Sequence, residues 1–493
     1  MSIVTIMQFS DLHKRASVLD SNKALISSIV SDIARYNKEE IPISKPDILI
    51  VCGDIIRGCG TSMDFELSIR EIEKQYNEAN DFLSQLCNEL FNGDKHRIVI
   101  VPGNHDVSWP HSQKSMEKLE NLEPNFVELC KNPRSNIRWS WREHSYYKIS
   151  DYELYNQRFF PFSKFYTTFY NNQRHYSLKP EEQYDVFEFP EYKMLFVGFN
   201  SCFCNDHLNY IGMIHPECMA DCHNNINQIK YNDWSKIAVW HHGVHGFPTR
   251  SDFMDERIVQ FLIDKGFEMG LHGHQHKSDI FEVKFSADQT IAMQIFGCGT
   301  LCASQQDIPS GETRQYSMIE LDSSSTDLKF HIRKAVEQPL GLPIWMPGNI
   351  RQNRDKSCMN IKIPITINKD TGKGQEMLSK SDSLKELAEA ENLVAKKDYP
   401  EALRKLKLLE QENPFVRRLT IECLSQLEMD DECIQFIKEP NTITEFTYLS
   451  EALWRKKNLP DLRKLLDELS QNQDIANSEP FKRMNGKLKY RGN

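Results

Sequence analysis

The chain has 493 residues, 40% of them hydrophobic and 26% charged, with a net charge of −10. That length exceeds one ordinary core, so more than one domain is expected, and no run approaches the roughly 18 apolar residues of a membrane span. The acidic balance gives no global case for nucleic-acid binding, and 13 scattered cysteines behind an N-terminus that does not read as a secretory leader suggest reduced thiols in a cytoplasmic, membrane-free protein.

In chain order, residues 3–9 (IVTIMQF), 47–52 (DILIVC) and 97–101 (RIVIV) are continuous apolar runs of strand length, the pattern of strands buried on both faces. Between them, 17–38 and 63–92 carry apolar residues at helical spacing, such as Ile26, Ile29 and Ile33, then Ile69, Ile72, Phe82, Leu86 and Leu90. The beginning is therefore β-α-β-α-β, as in an α/β sheet. From about 110 to 180 an aromatic, charged segment containing WSWREHSYY interrupts the alternation; as an insertion it either shapes a substrate pocket or forms a small core of its own. Further strands are expected at 183–189, 192–199, 235–240, 267–271 and 290–296. Cys202, Cys204, Cys218 and Cys222, with His207, His215 and His223 among them, have the residue types of a zinc site. Their spacing matches no standard zinc pattern, so ordinary buried thiols are the favoured reading.

From about 337 the chain turns rich in Pro and Gly; IKIPITI is one more candidate strand and NKDTGKGQE reads as a polar linker. The expected organisation is 1–335, a linker over 336–383, and an all-α helical-hairpin domain over 384–493. The hairpins break at 398–400, 429–432 and 457–460, about every 30 residues, near the tetratricopeptide period. DYxxAL, with Ala402, Leu406, Leu409 and Pro414, resembles the second half of a tetratricopeptide repeat, and stacked pairs of this kind either bind a protein partner or simply cap the first domain. The basic end, with Lys482, Arg483, Lys487, Lys489 and Arg491, is expected to be a solvated terminus rather than a nucleic-acid patch.

Chemistry concentrates at strand ends. After the first strand come Asp11 and His13, after the second Asp54, and after the third Asn104, His105 and Asp106; AVWHHG then supplies His241 and His242, and LHGHQH supplies His272, His274 and His276. In open α/β sheets ligands sit at the carboxyl ends of strands. Carboxylate, imidazole and one amide, without thiolate, suit a pair of divalent ions such as Mn, Fe or Zn.

The ordered set D-x-H, G-D, G-N-H-D, H-H and G-H-x-H resembles the calcineurin-like metallophosphoesterase family over residues 1 to roughly 335. The resemblance implies a four-layer sandwich, two β-sheets flanked by helices, and a two-metal phosphoesterase, with Mn the favoured metal. It implies that Asp11, His13 and His276 hold one metal, that Asp54 bridges, and that Asn104, His241 and His274 hold the second. Ions about 3.5 to 4 Å apart would then share a hydroxide that attacks phosphorus in line. His105 becomes the phosphate contact or proton donor, and Asp106 the group that orients or charges it. His241 matches the family position better than His242, and His272 falls outside the motif. FNSC at 199–202 and GMI at 212–214 are similar to a substrate-side element of the branch containing bacterial cyclic-nucleotide phosphodiesterases, which implies a phosphodiesterase on a nucleotide or nucleic acid. The alternatives are a phosphoprotein phosphatase directed by the helical repeats, a DNA nuclease like that of double-strand-break repair, and a non-catalytic scaffold. GDIIRG lacks the aspartate of the protein-phosphatase GDxVDRG motif, and the intact ligand set argues against a scaffold.

Overall fold

The structure is a computed structural model. It describes residues 3–15, 21–120, 126–227, 229–231, 233–245, 252–285, 291–304, 306–322, 327–336, 343–349 and 357–363, then 387, 389–391, 393–394, 396–407, 409, 414–440, 442–470, 472–476 and 478–490. The chain divides into two compact units, Met1–Asn368 and Lys369–Asn493. The linker stretch NKDTGKGQE and Arg491 lie outside the described residues.

In the first unit, β1 (Ile3–Phe9), β2 (Ile48–Cys52) and β3 (Ile98–Val101) pair in parallel, and apart from Ile3 all their residues are buried. Helices α1 (Asn22–Ile33) and α2 (Phe65–Phe91) make the crossovers. Each starts at a polar cap: Ser21 accepts from the Ala24 N–H, and Asp64 from those of Glu66 and Leu67. The inserted segment carries β4 (Met116–Lys118), β5 (Ile137–Ser140) and β6 (Ser145–Ile149), an antiparallel sheet in the order β4-β6-β5 over a small cluster of Met116, Ile149 and Tyr155. Helix α3 (Phe160–Phe169) instead contributes Phe162, Phe165, Tyr166 and Phe169 to the main core.

A second sheet follows, built from β7 (Tyr184–Phe189), β8 (Met194–Phe199), β9 (Ser235–Val239), β10 (Phe267–His272), β11 (Asp279–Lys284) and β12 (Ala292–Gly297), in the order β11-β12-β10-β9-β8-β7. Its four central strands are parallel and its two edges antiparallel. Along β8, Met194 and Phe196 join the core shared with the first sheet, while Leu195, Val197 and Phe199 pack with α4 (Pro216–Ile226) and α5 (Glu256–Asp264). Finally β13 (Gln315–Asp322), β14 (Asp327–Val336), β15 (Ile344–Gly348) and β16 (Cys358–Lys362) return to the first sheet, giving β15-β14-β13-β1-β2-β3 with β16 also on β14. Two mixed sheets with helices agree with the α/β layers the resemblance implies. The first sheet continues past 335, because β15 and β16 both pair with β14.

In the second unit the described elements are helices, among them Tyr399–Leu406, Pro414–Gln426, Ile443–Arg455 and Leu459–Leu469, around a core that includes Leu406, Leu424, Phe446, Leu453 and Leu466. One turn recurs. Lys397, Glu428 and Lys457 have φ of 63, 53 and 56°, and the next N–H in each case (Asp398, Met429, Asn458) donates to a carbonyl five residues back at 2.9 Å. The basic end differs from the expected solvated terminus: Glu479–Tyr490 is a helix with Phe481, Met484 and Leu488 buried. Their spacing of three and four puts all three on one face, and burying that face outweighs the surrounding charge. Among the described residues no helix is long and apolar enough to cross a membrane.

Candidate metal centre

The strand-end clusters meet at one place because their loops are stitched together. Asp11 N–H donates to the Gly53 carbonyl (3.1 Å), His13 N–H to that of Asp54 (2.9 Å) and Gly273 N–H to that of His241 (3.0 Å). Close approach needs glycine at two positions: a Cβ on Gly103 would lie 2.2 Å from Asp54 Oδ1, and one on Gly53, whose φ is +85°, 2.6 Å from His241 Nδ1. Asp11, His13, Asp54, His274 and His276 have φ of 53, 43, 52, 72 and 54°, a region that side chains with a Cβ avoid.

Their polar atoms converge. His276 Nε2 is 3.1 Å from Asp11 Oδ1 and 3.2 Å from His13 Nε2. His241 Nε2 is 3.0 Å from Asn104 Oδ1, 3.3 Å from His274 Nδ1 and 3.4 Å from Asp54 Oδ1; His274 Nδ1 is 3.0 Å from the same Asn104 oxygen. Among the described residues, three sets of possible ligands each gather their donor atoms within 4.8 Å: Asp11, His13, His276; His13, Asp54, His105; and Asp11, Asp54, His241. Asp54 belongs to two of them.

Backbone carbonyls fix which imidazole nitrogen faces inward. The carbonyls of Cys52, Asp307 and Arg57 accept at 2.7 Å from Nδ1 of His241, His276 and His105 respectively. A carbonyl only accepts, so each Nδ1 carries a proton and each Nε2 faces the cluster, where its second proton can be given up for a cation. Asp11 Oδ1 is buried without a hydrogen bond. Inward ring nitrogens and an unsatisfied carboxylate oxygen suit divalent cations.

The charges are coupled to match. Burial opposes the imidazolium form of His241, yet the Asp54 carboxylate carries it up to about 9. Burial also opposes ionisation of Asp11, but the charge of His276 holds it at about 2, and His241 holds Asp54 well below the usual carboxylate range. His13, buried and beside His105, is pushed down to about 3. Metal-free, the cluster shares protons between carboxylates and imidazoles, which are the protons a cation would displace.

Residues 4–278 match the family of calcineurin-like phosphoesterases. The chain belongs to that family. It is a metal-dependent phosphoesterase, a hydrolase. Among solved structures, a purple acid phosphatase from yellow lupin (Lupinus luteus) seeds is similar at 10% identity and a TM-score of 0.37, over 68% of this chain and 52% of that one. GAP50, the anchor in the inner membrane complex of Plasmodium, is similar at 11% identity and a TM-score of 0.36, over 77% and 94%. A dimetal phosphatase from Danio rerio is similar at 12% identity and a TM-score of 0.36, over 69% and 98%. The chain thus spans about half the length of the lupin protein. None of the curated proteins matches it.

In this calcineurin-like phosphoesterase the remaining motif residues stand apart from the cluster. Asp106, expected to orient or charge His105, makes its hydrogen bonds to other groups. Its buried carboxylate accepts from the N–H groups of Gly103 (2.8 Å), Ile55 (3.1 Å) and Ile56 (3.4 Å) and from the Tyr76 hydroxyl (3.0 Å), so it ties the two ligand loops together, while the Arg57 carbonyl orients His105. Burial, and then the charge of Asp54, push Asp106 up to about 7. His242 turns away to Ser201 Oγ at 2.9 Å, and His272 stacks on Trp240 with its Nδ1 on the Gly273 carbonyl. The converging sets contain no cysteine among the described residues, and the four cysteines of the zinc reading are buried.

Sequence reasoning missed several supports of the site. Ser201 Oγ accepts from the N–H groups of both His241 and His242, at 3.1 Å each. Arg57 Nη1 pairs with Asp307 Oδ2 at 2.7 Å, joining the two residues whose carbonyls hold His105 and His276. Asp252 lies 3.4 Å from His274 Nε2. Ser201 stood in the quoted FNSC and Arg57 in GDIIRG; Asp252 and Asp307 carry no local signal.

Proposed function

We propose that the chain is a phosphodiesterase acting on a nucleotide or a nucleic acid, with Asp11, His13 and His276 holding one divalent cation, Asn104, His241 and His274 a second, and Asp54 shared between them. The observation that carries this reading is the convergence of those donor atoms with inward nitrogens already selected by backbone carbonyls. Bound there, two cations, Mn in the favoured case, supply Lewis acidity to the phosphoryl oxygens and acidify the attacking water.

The protein's own groups do the rest. His105 Nε2 is 4.0 Å from Asp54 Oδ2 on a side chain 31% exposed, so it reaches both the cluster and a substrate. Its Nε2, when protonated, would donate to the departing oxygen, which an alkoxide requires and an aryl oxide does not. Arg57 is already paired with Asp307 at 2.7 Å. The recurring turn at 397, 428 and 457 supports stacked helical hairpins in the second unit, whose role is to bind a protein partner in the cytoplasm.

The test is a metal-reconstituted assay with bis-p-nitrophenyl phosphate, p-nitrophenyl phosphate, cyclic nucleotides, oligonucleotides and a phosphopeptide. Diesters should turn over faster than the monoester, with Asp54→Ala inactive. Equal activity in Asp54→Ala, or a preference for the phosphopeptide, would sink the reading.

A further inference from the structure

The inserted segment carries a cleft that the metal centre does not use. Across β5 and β6, Trp139 sits opposite Tyr146 with ring centroids 4.6 Å apart, and Trp141 meets Trp139 edge-on at 5.9 Å. Trp141 is 81% exposed. With Val127, Leu208 and Asn209 these rings line a cleft of about 450 Å³, within the range of small-ligand pockets and too small for a folded partner.

Its floor is anchored. The Arg138 guanidinium, 6% exposed, donates to Asp206 Oδ2 at 2.7 Å and to the Tyr155 hydroxyl at 3.3 Å, and Tyr155 donates to the same Asp206 oxygen at 2.9 Å. Asp206 lies on the loop that begins with Ser201, the hydroxyl that fixes the His241 backbone. Cleft and metal centre are thus built on one loop.

Charge distinguishes the occupant. Between 130 and 148 the sequence places Lys131, Arg134, Arg138, Arg142 and Lys148 against Glu143 alone, in a chain whose net charge is −10. Glu143 is itself bonded to Lys118 and the Tyr147 hydroxyl. Arg138 is answered by Asp206 and Lys131 by Glu128, while Arg134 and Arg142 are two further cations next in sequence to the lining residues Pro133 and Trp141. An anionic ligand that carries flat rings satisfies both features, since bases stack on aromatic faces while cations track the phosphates.

We propose that this cleft binds a base of single-stranded nucleic acid, with Trp141 and Trp139 as the stacking surface and Arg134 and Arg142 meeting the flanking phosphates. Its role as a substrate subsite rests on the phosphodiesterase reading, whereas its binding can be measured without turnover. The experiment is fluorescence anisotropy of the full-length chain with a labelled oligothymidylate carrying hydrolysis-resistant linkages. Trp141→Ala should weaken binding about ten-fold and Trp141→Phe should restore most of it, with bis-p-nitrophenyl phosphate turnover unchanged in both. Wild-type binding by Trp141→Ala, equal affinity for an abasic oligonucleotide, displacement only by an apolar peptide, or no binding at all overturns the proposal. Oligonucleotide binding without hydrolysis of any ester leaves the cleft standing and overturns the phosphodiesterase reading instead.

Discussion

Non-glycine residues enter the left-handed region in both units of the chain, and they serve different ends. In the first unit Asp11, His13 and Asp54, with φ of 53, 43 and 52°, are buried and aim polar atoms at one cluster. In the second unit Lys397, Glu428 and Lys457 adopt nearly the same angles, but their side chains are exposed and the turn's N–H groups are spent on the preceding helix. An unusual φ therefore marks function where buried polar groups converge, and a helix stop where the backbone satisfies itself.

That contrast can be broken from either side. Asp54→Gly relieves the backbone yet removes the shared carboxylate, so kcat on bis-p-nitrophenyl phosphate should fall about a thousandfold or more. His276→Gly relaxes its turn in the same way; bound metal measured by mass spectrometry should drop by one equivalent, with about a hundredfold loss of rate. Arg57→Ala leaves every ligand in place and removes only the ion pair that steadies the two carbonyls, so kcat should fall about tenfold with metal content retained.

Smaller effects fall on stability. Glu268, buried on β10 away from the ligands, is pushed up to about 7 by burial, against an ordinary 4.5. As pH rises from 4.5 to 7 the unfolded chain gives up this proton before the folded one does, so stability declines across that window and levels off above it. Glu268→Gln should remove the slope, raising the thermal midpoint at about pH 8 by an amount equivalent to about 1–3 kcal/mol and leaving it unchanged at about pH 4. Lys457→Gly, at a helix stop, should stabilise the protein by up to about 1 kcal/mol in a denaturant titration, the opposite sign to what a ligand-bearing position would give in activity.

The centre of the fold was legible because its strands are continuous apolar runs: β1, β2, β3, β8, β9 and β10 lie within a residue or two of where hydrophobicity places them. β13 and β14 were missed because they carry charges that look solvated. Arg333 is buried against Asp32 at 2.6 Å, and Glu320 faces His331 at 3.2 Å, partners that local sequence cannot supply when Asp32 is some three hundred residues away. The converging side chains were legible for a related reason, since strand ends bring ligands together whatever their separation in sequence. Asp106 was not, because a carboxylate that binds backbone N–H groups has the same local signature as one that serves an imidazole.

Asp11, His13, Asp54 and Asn104 follow strands of the first sheet, whereas His241, His274 and His276 follow strands of the second. A cation held at that seam is a tie between layers as well as a reagent. Ions with no affinity for the unfolded chain would add about 2.7 kcal/mol to the stability of the fold at a hundredfold excess over the dissociation constant. Chelation should then lower the thermal midpoint, and any opening of the sandwich should release the ions, which makes heat inactivation and metal loss one event.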